Sequence, residues 1–132
     1  MNVPRFEYKE MRFLNVDLDL VSRSDLQPLV TALEPGVFSL HVGHEKRTYS
    51  AHLELSKFPK TPDAAIRSFA VLIQNLSRAE RKLWDTAKVR NFNIGVQSAL
   101  QPRAFEIKLA PETLGIASTL RARIVLTVYA PS

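Results

Sequence analysis

The stretch that decides the fold is Phe13-Leu14-Asn15-Val16-Asp17-Leu18-Asp19-Leu20-Val21. Leu14, Val16, Leu18 and Leu20 fall on one side of an extended chain, and Asn15, Asp17 and Asp19 fall on the other. Side chains alternate across a strand, so this period of two marks a strand with one dry face and one wet face. The remaining sequence must then supply neighbouring strands and a cover for the dry side.

Working outward, Ser24-Asp25-Leu26-Gln27 has capping-box spacing and predicts a short helix that buries Leu26, Leu29, Val30 and Leu33. Glu34-Pro35-Gly36 stops it. Val37 to Val42 and Arg47 to Ser56 predict a hairpin around Gly43-His44-Glu45-Lys46. Its expected register sets Val42 against Arg47, Leu40 against Tyr49 and Phe38 against Ala51. Thr61-Pro62-Asp63 opens a second helix with Ile66, Phe69, Ala70, Ile73 and Leu76 on its apolar face. Ser77-Arg78-Ala79-Glu80 is another capping box and begins a third helix, whose Trp84 is expected in the core.

Phe92, Ile94, Val96, Ser98 and Leu100 alternate again, and Phe105, Ile107 and Leu109 continue beyond a loop containing Pro102. These predict two paired strands, Leu100 facing Phe105 and Val96 facing Leu109. Pro111-Glu112-Thr113 starts a last helix, and Ala122, Ile124, Leu126 and Val128 form a last strand. The order β-α-β-β-α-α-β-β-α-β predicts one α+β domain over residues 1–132, with a largely antiparallel six-stranded sheet and helices mainly on one face.

Composition narrows the chemistry. The chain of 132 residues is 45% hydrophobic and 23% charged, ordinary values for globular material. The absence of cysteine excludes a disulfide scaffold, a thiolate zinc site, an iron–sulfur cluster and a cysteine nucleophile. Four glycines, none in a phosphate-cradling run, argue against a P-loop or a Rossmann turn. No apolar run approaches the ~20 residues that cross a bilayer, and no uninterrupted apolar segment follows a basic start. A cytoplasmic location is therefore expected, with no membrane partner and no cofactor.

Charge is unevenly spread. Residues 1–56 hold 6 basic and 8 acidic side chains, whereas residues 57–132 hold 12 basic and 5 acidic. The densest basic stretch, Arg78, Arg81, Lys82, Lys88 and Arg90, is either a solvated helix face or a patch for phosphate or an acidic protein. The wet face of the sheet is the other candidate surface. It is expected to carry Asn15, Asp17, Asp19, Ser39, His41, Ser50, His52, Glu54, Asn93, Gln97, Glu106, Lys108, Arg123, Thr127 and Tyr129. Asp17, Asp19, His41, His52, Glu54, Asn93, Gln97, Lys108 and Arg123 are its candidate contact residues.

Metal binding is not expected on this reading: Asp17 and Asp19, two apart on one face, could share a hard cation with Asn15, but paired strand carboxylates are far more often just solvated. In the derived register His41 and His52 share a face but lie four residues apart along the hairpin, roughly 13 Å at ~3.3 Å per residue. No serine stands in a strand–turn–helix elbow, so no catalytic triad is assigned.

Phe105-Glu106-Ile107-Lys108-Leu109-Ala110-Pro111-Glu112-Thr113-Leu114, then Leu120-Arg121-Ala122-Arg123-Ile124 and the closing Val128-Tyr129, resemble the C-terminal end of a family of small bacterial α+β proteins of unknown function. A tryptophan associated with the central hairpin of that family is absent here, where Tyr49 and Trp84 are the nearest aromatics. The resemblance implies an interaction role of the kind played by toxin-neutralising immunity proteins, and it carries no catalytic residues. The leading expectation is a non-enzymatic binding protein with a protein partner, or a homodimer. Nucleic-acid binding by the basic C-terminal portion is the second. The third is a small-molecule enzyme or carrier with a pocket between sheet and helices.

Overall fold

A computed structural model describes residues 10–131. Its elements are β1 (Arg12–Ser22), α1 (Gln27–Leu33), β2 (Val37–Glu45), β3 (Thr48–Leu55), α2 (Pro62–Gln74), α3 (Arg78–Thr86), β4 (Val89–Gln97), α4 (Pro111–Thr119) and β5 (Arg123–Tyr129). The five strands form one sheet in the order β2-β3-β1-β4-β5. β1 lies at the centre, antiparallel to both β3 and β4. β5 runs parallel to β4.

All four helices cover the same face. Leu18, Leu20, Leu53 and Phe92 of the sheet join Leu29 of α1, Ile66 and Phe69 of α2, Trp84 of α3 and Ala117 of α4 in one buried cluster. Trp84 is fully buried, and its indole N–H donates to the Leu120 carbonyl at 3.0 Å. Full burial of a tryptophan requires such a partner for its one donor. The local start follows from sequence at α2, where the Thr61 hydroxyl accepts from the Ala64 N–H at 3.1 Å. α3 begins after Ser77 as expected, but the capping box does not close: Ser77 caps no backbone N–H, and its hydroxyl donates to the Glu80 carboxylate instead. α1 differs: Leu26 is its N-cap, and Asp25 rather than Ser24 accepts from the Gln27 N–H, at 2.9 Å.

Three expectations need correction. Among the described residues the sheet has five strands, not six. Residues 105–109 are extended, but no ladder forms there. Phe105, Ile107 and Leu109 pack against the core cluster all the same. Alternation therefore reported burial correctly, while the free edge of β4 was taken by β5 after the crossover through α4. β4 also stops at Gln97, leaving Leu100 92% exposed.

The hairpin register is the second correction. The turn is Lys46-Arg47, and Val42 faces Ala51 rather than Arg47. The register then shifts between Ser39 and His41, which makes Leu40 the extra residue of a bulge. The bulge lets Val37 and Val42, of opposite parity, face Leu55 and Ala51 on the helix-covered side. Phe38 now lies opposite Glu54, and Leu40 is left about half exposed. The third correction follows the same rule. A shift between Phe13 and Asn15 puts Phe13 against Val96 on the core side, and Leu14 leaves the row of Val16, Leu18 and Leu20.

Candidate functional site

Pairing β3, β1 and β4 around the central strand gathers polar side chains on the uncovered face. Asp17 lies between Glu54 and Asn93, and Asp19 between His52 and Asn91. The side chains bond one another. Thr127 Oγ1 donates to Asn93 Oδ1 at 2.7 Å, and Asn93 Nδ2 donates to Asp19 Oδ2 at 3.3 Å. His52 Nδ1 donates to the other Asp19 oxygen at 2.8 Å. Two donors thus converge on Asp19 from opposite sides, and chains of this kind polarise one another. Beside it, the Asn15 amide donates to Asp17 Oδ1 at 2.9 Å and to Glu54 Oε1 at 3.0 Å.

Three carboxylates in this space repel. Desolvation, then the charges of Glu54 and Asp19, push the Asp17 carboxyl up to about 6 against a partial opposing effect from His52. Holding a carboxylate in such a place favours either a proton or an incoming cation.

The two-residue turn at Lys46-Arg47 also changes the histidines. His41 is the direct cross-strand partner of His52, and their ring centroids are 5.8 Å apart. The expected separation along the hairpin does not exist. His44 lies on the other side of the hairpin, stacked on Tyr49 at 4.0 Å.

The remaining candidates are placed as follows. Gln97 ends β4 but is buried, its amide donating to the Ala130 and Ser98 carbonyls, so it is not open to a partner. Lys108 stands off the sheet and pairs with Glu106 at 3.5 Å. Arg123 starts β5 and donates to Asn91 Oδ1 at 2.9 Å. Ser39 lies opposite Leu53, on the helix side rather than the wet face.

The basic segment does not form a single surface. The Arg90 guanidinium donates to the carbonyls of Ala87, Trp84 and Arg121 at 2.6, 3.1 and 3.1 Å. Desolvation accordingly lowers its pKa. It closes the end of α3, where unpaired carbonyls need donors. Arg81 pairs with Asp85 at 3.3 Å, four residues on. Arg78 and Lys82 remain as exposed cations of α3, with Lys88 beyond its end.

Two members of the site stand outside the expected contact residues. Asn15 and Thr127 were placed on the wet face, yet nothing in their spacing shows that Asn15 bridges Asp17 to Glu54 or that Thr127 orients Asn93. Those bonds depend on which strands are neighbours. Among the described residues, no helix is long and apolar enough to cross a membrane. No protein-family model, curated protein or solved structure matches the chain.

Proposed function

We propose that the protein is a non-catalytic binding protein whose open sheet face holds a protein partner through a cationic side chain seated among Asp17, Asp19 and Glu54. The observation that supports this reading is the pairing of Asp17 with Glu54, bridged by the Asn15 amide and beside Asp19, on a sheet face the helices leave uncovered, where desolvation and the neighbouring carboxylates raise the Asp17 carboxyl. A lysine or arginine brought against the cluster relieves repulsion already present in the free protein, so complementary charge gives both orientation and rate of encounter. The surrounding amides and hydroxyl are committed to one another, which keeps the carboxylates in place for that contact. A toxin with a basic surface is one such partner, the one to which the C-terminal resemblance points.

The test is affinity purification from the native host, using the wild-type chain and the Asp17→Asn/Glu54→Gln double variant. The wild type is expected to retain a stoichiometric protein partner that salt releases and the double variant does not retain. Retention of the same partner by the double variant, or recovery of none by the wild type, overturns the proposal.

A further inference from the structure

We infer that His41 and His52 form a labile binding site for an imidazole-seeking divalent ion, Zn(II) or Cu(II), at the hairpin end of the wet face. This goes beyond partner recognition: its ligand side chains are different, and only Asp19 is shared with the partner contact. Three features carry it.

The first is pairing. The two histidines are directly opposed across β2 and β3, with ring centroids 5.8 Å apart. Two nitrogens each ~2.1 Å from one tetrahedral ion stand ~3.4 Å apart, a spacing that a swing of the exposed His41 ring reaches. The second is orientation. His52 gives its Nδ1 proton to Asp19 at 2.8 Å, which leaves Nε2 as the free lone pair. A carboxylate behind a ligand histidine fixes its tautomer and raises its basicity, and here the carboxylate is itself held by Asn93.

The third is room. The His41 ring lies along its own strand over Gly43, where a Cβ would come 2.5 Å from Nε2, and a swing off Gly43 into open solvent is what brings a ring nitrogen toward His52. An open concavity of about 570 Å³, lined by His41, His44, Glu45, Lys46 and Ser50 but not by His52, lies beside the His41 ring at the hairpin end. No three His, Asp or Glu side chains among the described residues surround a common point. The protein therefore supplies two ligands, and water or a small anionic ligand completes the shell. Such a site binds reversibly, and imidazole ligation selects Cu(II) over Zn(II) and both over Mg(II) or Ca(II).

The experiment is calorimetric titration of the untagged full chain with zinc chloride, repeated with copper chloride while amide line broadening is followed by NMR. One ion per chain is expected, with broadening centred on His41 and His52. His41→Ala and His52→Ala should each weaken binding at least ten-fold. Asp19→Asn should weaken it ~10–100-fold, because both imidazoles remain and only the orienting carboxylate is lost. His44→Ala should bind zinc as the wild type does, and the Asp17→Asn/Glu54→Gln double variant should still bind one zinc per chain at His41 and His52, weakened by the two lost charges but less than in Asp19→Asn, which separates this site from the partner contact. Absence of zinc binding at millimolar ion overturns the inference, as does unchanged affinity in either His41→Ala or His52→Ala.

Discussion

Two groups of charged side chains stand out in this chain, and the fold treats them in opposite ways. The carboxylates of β1 and β3 are gathered, bonded through Asn15, and turned toward solvent under mutual strain. The arginines around α3 are divided, and the best anchored of them, Arg90, is spent on backbone carbonyls. A cluster of like charges in sequence is therefore not a cluster in space, whereas residues far apart in sequence become one when strands pair. The first group carries repulsion that a ligand relieves; the second supplies stability.

That contrast predicts mutations of opposite sign. The largest effect is expected at Arg90. Arg90→Ala removes the guanidinium donors to the Trp84, Ala87 and Arg121 carbonyls, leaving only the Ala87 N–H on Trp84, and should destabilise the fold by about 2–3 kcal/mol. Arg90→Lys should recover only part of this, since one ammonium cannot reproduce the fork. Urea unfolding measures both, with Arg78→Ala as a control expected within about 0.5 kcal/mol of wild type. A small loss at Arg90 would erase the distinction between the two groups.

Asp17 should behave in the reverse sense. Its carboxyl titrates near 6 in the folded chain and near 3.8 when unfolded, so between those values the folded state binds more protons. Stability from this group accordingly falls as pH rises through that window. Asp17→Asn keeps an acceptor for Asn15 and removes the charge. It should stabilise the protein by about 1 kcal/mol at pH 7.5, a figure reduced for solvent screening of a half-exposed group. The gain should vanish toward pH 4, and paired denaturation curves at the two pH values check it. A gain independent of pH would show that repulsion is not its origin.

The smallest effect concerns the turn that sets the hairpin register. Lys46 has a positive φ of 55°, a conformation glycine adopts without steric cost. Lys46→Gly should raise stability by about 0.5 kcal/mol and leave the His41–His52 pairing intact, which cross-strand NOEs at those residues would confirm.

Much of the fold was legible because it rests on local signals. The alternation of β1, the Thr61 cap of α2, the Ser77–Glu80 start of α3 and the burial of Trp84 each depend on a few consecutive residues. The hairpin register did not follow, because the chain turns at Lys46-Arg47, not across Gly43 to Lys46, and the bulge at Leu40 then reverses the faces of Phe38 and Val37. The extra strand at Phe105 to Leu109 arose for a related reason. An alternating segment packed on a core looks the same whether or not a neighbouring backbone is free to pair with it. At the candidate site, membership of Asp17, Asp19, His52, Glu54 and Asn93 was readable from parity alone. Their bonds were not.

The sequence by itself determined which face of each strand is dry, because side-chain alternation and hydrophobicity are properties of single segments. Only the tertiary structure decided that His41 meets His52, that Asp17 sits between Glu54 and Asn93, and that Arg90 caps a helix. Those outcomes depend on strand order, register and one-residue bulges, and these are settled where distant segments compete for the same edge and the same core.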